Sequence, residues 1–306
     1  MIKQRWHSYR NPILLLPTVA QTSQGNPDLP GHLHSLAIGL KDRYKRLGDI
    51  ADLQAALENC RIVIELTPKE DPALPSRLDA LAMCLMERYE NLGDFKDLEA
   101  GLTCSQSAVA QTAKGNIYLA RYLQTLAIWL RIRYQRLMEP QDLEAALQHN
   151  QTVIAITPEG HPDLSRRLES LARCFRMQYL ISGNLKNLEG ALQTRRKLVQ
   201  CTPIDHPDLP GNLQSLSVSL TDRYQRYGDL KDLEDALEND QKTVHLTPEG
   251  HPDLPGYLQS LAISFTVRYR RLKKLSDLEA AIQNNEVAVA QTPNSHPHLH
   301  LYYLPI

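Results

Sequence analysis

Apolar residues near the start of the chain fall at Leu33, Leu36, Ala37, Leu40, Tyr44 and Leu47, a spacing of i, i+3, i+4, i+7, i+11 and i+14. That spacing draws one stripe along an α-helix. A second stripe, Leu53, Ala56, Leu57, Cys60 and Ile64, predicts another. The first, helix A, is expected over about 29–47 and the second, helix B, over about 50–66. Between them Gly48 supplies a residue able to turn left-handed and Asp49 one able to cap helix B, a pairing repeated at Gly93-Asp94 and Gly228-Asp229. The phrase Thr-Pro-Glu-Gly-His-Pro-Asp-Leu at 157–164 and 247–254 puts prolines where helix B must stop, and sets Asp163 or Asp253 where the next helix A needs a cap.

The same pattern then recurs without insertion every 45 residues. Tyr44, Tyr89, Tyr134, Tyr179, Tyr224 and Tyr269 keep the step, as do the leucines from Leu33 to Leu258 and those from Leu53 to Leu278. A fixed period of this size is the mark of a solenoid, in which a helix pair buries its apolar face only by stacking on its neighbours. Six copies are expected at about 28–72, 73–117, 118–162, 163–207, 208–252 and 253–297, an all-α array without strands. Small residues, Ala37, Ala82, Ala127, Ala172 and Ala262 with Ser217 in the fifth copy, stand where the two helices cross. Gly101 takes an alanine position on helix B of copy two, an expected loss of about 0.5–1 kcal/mol.

Leu-x-x-Leu-Ala on helix A and Ala-Leu on helix B resemble the tetratricopeptide (TPR) pattern, lengthened by about two helical turns. HEAT and armadillo units have comparable lengths and stand as the alternative, although their helices lack this crossing pattern. The phrases Leu-Thr-Pro-Glu-Gly-His-Pro-Asp-Leu-Pro at 246–255 and Arg-Tyr-Gln-Arg-Tyr-Gly-Asp-Leu-Lys-Asp-Leu at 223–233 resemble the long-repeat arrays of fungal proteins that carry a caspase-like CHAT domain. The resemblance implies a helical superhelix with a binding groove. It transfers no catalytic residue, because the His and Cys of such a protease have no counterpart here. Val19-Ala-Gln-Thr22 repeats Val289-Ala-Gln-Thr292, so the chain opens in the tail of a helix B. Residues 1–18 are an unassigned tail, and 298–306 read as a truncated seventh copy that begins around His296.

Composition narrows the function. A net charge of −1 and a pI near 6.8 exclude a general polyanion binder, so no nucleic-acid partner is expected. No window supplies the run of about 18 apolar residues that a membrane span needs, and the polar start, Met1 to Arg10, lacks the pattern of a secretory leader; a cytoplasmic protein without membrane partners is expected. Cys60, Cys84, Cys104, Cys174 and Cys201 form neither a disulfide nor a zinc framework and read as buried thiols.

Phosphate loops, dinucleotide fingerprints and His-Glu-x-x-His are absent, which leaves no anchor for catalysis or for a cofactor. His161, His206, His251 and His296 recur once per inter-copy turn, too far apart to share an ion, and replace Asn26, Asp71 and Asn116 as polar turn residues. Asn150-Gln-Thr152 fits a glycosylation sequon but falls inside helix B. Arg43, Arg88, Arg133, Arg223 and Arg268, each just before the repeated tyrosine, are expected to pair with Glu99, Glu144, Glu234 or Glu279.

In TPR arrays the inner wall comes from helix A positions beside the core stripe, and the resemblance places these at 34, 38, 41, 42 and 45 of the first copy. They vary between copies, as in Lys41, Met86, Arg131, Arg176, Thr221 and Thr266, while the neighbouring leucines do not. Copies three and four bring Arg121, Arg131, Arg166, Arg173 and Arg176 to this wall beside Ile128, Ile132 and Met177, a lining suited to an acidic protein or peptide with apolar anchors. Two functions are therefore expected: a non-catalytic interaction scaffold, or the regulatory segment of a larger CHAT-type protease.

Overall fold

The computed structural model describes residues 27–292, and among these it contains twelve α-helices and no strand. They are α1 (Leu29–Leu47), α2 (Ile50–Glu65), α3 (Leu74–Leu92), α4 (Phe95–Ala110), α5 (Leu119–Leu137), α6 (Pro140–Ala155), α7 (Leu164–Ser182), α8 (Leu185–Cys201), α9 (Leu209–Tyr227), α10 (Leu230–Leu246), α11 (Leu254–Leu272) and α12 (Leu275–Gln291). Odd-numbered helices are the expected helix A and even-numbered ones helix B, packed as successive antiparallel pairs. The chain divides into two compact units: the first ends at Pro158 and holds α1–α6, and the second begins at Glu159 and holds α7–α12. The expected tails at 1–18 and 298–306, Val19-Ala-Gln-Thr22 and the turn at His296 lie outside the described residues.

Local chemistry fixes where the helices stop. Gly48, Gly93, Gly183 and Gly228 end their helix A at φ between 64° and 72°, each donating its N–H to the carbonyl of the repeated tyrosine. Met138 and Lys273 adopt the same left-handed conformation at φ 59° and 56° without glycine's freedom. The side chains of Asp49, Asp94, Asn184 and Asp229 then accept the N–H two residues on, capping helix B, whereas Glu139 and Lys274 make no such bond. At the other end of helix B a threonine hydroxyl donates to the carbonyl four residues back, from Thr67 to Val63, Thr112 to Ala108, Thr157 to Val153, Thr202 to Leu198, Thr247 to Thr243 and Thr292 to Ala288. The bond consumes a helix-end carbonyl with no backbone donor of its own.

One capping expectation is corrected. Asp163 and Asp253 make no side-chain cap to α7 and α11. The turn is closed instead by the residue two before: Nδ1 of His161, His206 and His251 accepts the N–H of Asp163, Asp208 and Asp253 at 3.0, 3.1 and 3.2 Å. Asp71 and Asn116 hold the same place with carboxylate and amide oxygens, at 2.8 and 2.9 Å. A lone-pair acceptor is what this turn demands, and all three residue types supply one.

Inside each pair the leucine stripes and small crossing residues are buried, with Leu53, Ala56, Leu98, Leu143, Leu188 and Ala236 fully so. Core clusters join neighbouring copies rather than a common centre: Leu188, Leu192, Leu216, Leu220 and Ala236 form one, and Leu237, Leu261, Ala262, Phe265 and Ala281 another. Each buried leucine contributes about 1.5–3 kcal/mol, so a copy without neighbours forfeits much of its stability. Gly101 has a reason beyond helix propensity. A Cβ there would lie 2.2 Å from the Trp129 ring, which α5 inserts, completely buried, against α4. Gly190 and Phe175 complement each other in the same way in copy four, where a Cβ would come within 2.8 Å of the ring.

Within each unit successive A helices touch, α1 with α3, α3 with α5 and α9 with α11, while no two B helices pack closely among the described residues.

Candidate functional site

The pre-tyrosine arginines belong to the scaffold, with partners that differ from those expected. Arg43, Arg88, Arg133, Arg223 and Arg268 grip Asp52, Asp97, Asp142, Asp232 and Asp277 in two-pronged ion pairs, with Nε–Oδ2 distances of 2.5–2.9 Å. The expected glutamates lie two residues further on, and only Glu189 of copy four, at that position, touches one of these arginines, Arg223 at 3.3 Å. Each aspartate is buried at the third position of helix B, where the helix dipole favours a negative charge and the guanidinium fork matches the carboxylate. The Arg43 bond holds the Asp52 carboxyl below its ordinary range. Copy four lacks the pair altogether, with Gln178 and Asn187 in the two places.

The wall residues divide between the units. In the first, Arg121 reaches across to buried Asp79 of α3, with Nε 2.8 Å from Oδ2 and its guanidinium 6.0 Å from the Tyr122 ring centre. Arg131 donates to Gln135 at 3.0 Å, Ile128 is half-buried, and Ile132 is buried and offers little side chain to solvent. In the second unit Arg166 is exposed beside Asp163 at 3.4 Å, Arg173 pairs with Glu169 one turn back, and Arg176 bridges from α7 to Asp222 of α9 at 2.7 Å. Met177 is half-buried. The basic lining read from the sequence is thus interleaved with acids, Asp79, Glu169 and Asp222, from positions 34 and 42 of the same face. Of these pairs Arg173–Glu169 is exposed on both sides, and a pair of that kind is worth about 0–1 kcal/mol.

Sequence reasoning missed a second class of contact, between copies. Residues 24 apart, one on helix B and one on the next helix A, meet there: Cys60 with Cys84, which share a hydrogen bond, and Asp240 with Ser264 at 2.5 Å. Asp240 is almost wholly buried, and burial pushes its carboxyl up to about 6, against hydrogen bonds from Ser264 and Ser217. Ser217 is the one departure from alanine at the crossing, and this bond explains it. In copy four the same helix B place holds Arg195. Its guanidinium lies near Arg176, Arg173, Glu169 and Asp222, and burial followed by the two arginines lowers it to about 10. A polar series, Cys60, Ser105, Asn150, Arg195, Asp240 and Asn285, inside an otherwise apolar stripe was the available signal.

A cavity of about 860 Å³ opens in the second unit, lined by Glu169, His206, Asp208, Gln214, His251 and Tyr257 among others. Among the described residues no group of three or more His, Cys, Asp or Glu gathers as a metal ion requires, and no helix is long and apolar enough to cross a membrane.

No protein-family model and no curated protein matches the chain. Solved structures do. Nro1, a nuclear import adaptor, is similar over 98% of both chains at 13% identity and a TM-score of 0.54. An array of nearly identical TPR-like repeats from Podosopora anserina, described as kinesin light chain, is similar over 73% of this chain and 100% of its own at 19% identity and 0.52. YrrB, a TPR protein with an unusual peptide-binding site, is similar over 80% and 98% at 14% identity and 0.51. At identities this low the likeness establishes architecture alone, and the architecture is that of TPR-like helical repeats.

Proposed function

We propose that the chain is a non-catalytic interaction scaffold whose helix A faces hold an acidic protein or peptide segment with apolar anchors. The observation that carries this reading is the contrast along helix A: the leucines of the Leu33 and Leu36 series and the tyrosines of the Tyr44 series repeat in every copy while positions 34, 38, 41, 42 and 45 vary between copies. Packing explains the first set and leaves the second free to specify a ligand. In the first unit Arg131 supplies charge and half-buried Ile128 apolar contact; in the second, Arg166, Arg173 and Arg176 supply charge and half-buried Met177 apolar contact. The peptide-binding and adaptor roles named for YrrB and Nro1 agree with this use of the fold.

The test is a calorimetric titration of the full chain with a capped peptide of alternating Glu and Leu, repeated from low to physiological salt. Arg131→Glu with Arg176→Glu is expected to weaken binding at least tenfold and to flatten its salt dependence, since each charge-assisted bond lost is worth about 1.5–3 kcal/mol. Equal affinity of a folded double variant and the wild type contradicts the proposal.

A further inference from the structure

Arg195 is out of place for a structural residue. It stands on α8 in the inter-copy position that elsewhere holds cysteine, serine, asparagine or aspartate, and its Nε is buried without a hydrogen-bond acceptor. The residue 24 further on, Ser219 of α9, has its own buried hydroxyl unsatisfied. In the next copy the equivalent pair, Asp240 and Ser264, satisfies itself. An orphaned guanidinium N–H carries a desolvation penalty that the three-carbon stem does not offset and a small or apolar residue would avoid. Arg195 moreover lies near two further arginines, Arg173 and Arg176, whose positive charges oppose its own. Their acids, Glu169 and Asp222, are already engaged, the first by Arg173 and the second by Arg176. Three guanidinium groups against two carboxylates leave one positive charge and at least one aligned donor unmatched at the boundary of α7, α8 and α9.

We propose that Arg195, with Arg173 and Arg176, forms an anion site in the second unit that takes the side-chain carboxylate of an acidic segment lying on the helix A face. The inference rests on the scaffold reading above and deepens it: the residues of α7 gather the acidic segment at the surface, and Arg195, from the layer beneath, binds one of its carboxylates with a two-pronged, charge-assisted contact. Because that contact exists only in the complex, Arg195 contributes to affinity and detracts from the stability of the free chain.

This separation makes the proposal testable on the full chain with the same Glu-Leu peptide. Arg195→Met is expected to bind it about 10- to 100-fold more weakly and to melt at the same or a higher temperature than the wild type, while Arg196→Met, next along the helix and exposed, leaves both unchanged. In the wild type the Nε–H resonance of Arg195 should move on adding the peptide and stay in place on adding the Gln-Leu counterpart or inorganic phosphate. Undiminished affinity of Arg195→Met overturns the inference, and if Arg131→Glu with Arg176→Glu still weakens binding the scaffold reading survives alone. A resonance that phosphate moves as far as the peptide does makes the site a generic anion site and also overturns the assignment. Should Arg195→Met fold poorly, a wild-type resonance unmoved by saturating peptide decides against the proposal by itself.

Discussion

The contact between the two helices of one copy and the contact between adjoining copies are built on opposite rules. Within a copy the same parts return: small residues at the crossing, an Arg–Asp pair in five copies, and a threonine closing helix B in all six. Between copies the contacts are made of different parts: two thiols, a tryptophan over a glycine, and an aspartic acid held by serines. The first rule gives every copy the same helix pair. The second makes each copy fit its own neighbour, so the order of copies is specified by shape and polarity that a consensus array would lack.

Exchanging parts between copies should break the second rule more sharply than the first. Trp129→Ala empties a completely buried site and should cost the first unit about 3–5 kcal/mol. Gly101→Ala, which helix propensity favours by about 1 kcal/mol, should instead destabilise by about 1–3 kcal/mol because the Cβ meets the indole, and combining the two should recover part of the loss. Chemical denaturation of the four-member cycle checks this; additive costs would show that the ring and the glycine are not matched. Within a copy, Asp97→Ala removes a two-pronged partner from Arg88 and should cost about 1.5–3 kcal/mol. Copy four offers the converse: Gln178→Arg with Asn187→Asp should raise stability by about 1 kcal/mol, and neither change alone should.

The two units should also respond to pH with opposite slopes over part of the acid range. Burial pushes Asp240 from 3.8 up to about 6, so the second unit is most stable with this acid protonated and loses that stability as pH rises from about 4 through about 6. Burial, with Arg77 and Arg121 nearby, lowers His34 in the first unit from 6.5 to about 4, so its contribution is present above pH 6.5 and is lost as pH falls through about 4. Hydrogen exchange followed separately in α9–α12 and α1–α3 measures both. Asp240→Asn should flatten the first slope and His34→Gln the second, and slopes unchanged by these substitutions would contradict the assignments. The smallest effect belongs to a single backbone position: Lys273→Gly should stabilise copy six by about 0.5–1 kcal/mol in a melting curve, because Lys273 now holds φ at 56°.

How legible the molecule was from its sequence follows the same division. The helices were readable almost to the residue, since leucine spacing, Gly-Asp turns and Thr-Pro stops are local signals repeated in register. The partner of the pre-tyrosine arginine was not, because aspartate and glutamate both stand near the start of helix B and only the rotation of that helix against helix A selects the aspartate. His161 as the turn acceptor was half legible: its exchange with Asp71 and Asn116 pointed to a polar role, and the displacement of the expected Asp163 cap did not show. The division at Pro158 leaves no mark in the 45-residue register. The acids that pair with Arg173 and Arg176 were passed over, and Arg195 was missed because it belongs to helix B, the layer expected to be buried.

The most direct test of the claim that repeated residues hold the fold while individual ones hold the partner is a matched charge reversal within the second unit, read by melting and by titration with the acidic peptide. Arg173→Glu, an exposed individual residue on the face, should leave the melting curve within about 0.5 kcal/mol of the wild type and weaken binding at least tenfold. Arg268→Glu, a repeated residue gripping buried Asp277, should lower the melting temperature and leave the affinity of the folded fraction unchanged. If Arg173→Glu instead destabilises the unit without touching affinity, or Arg268→Glu abolishes binding while folded, the division of labour is wrong.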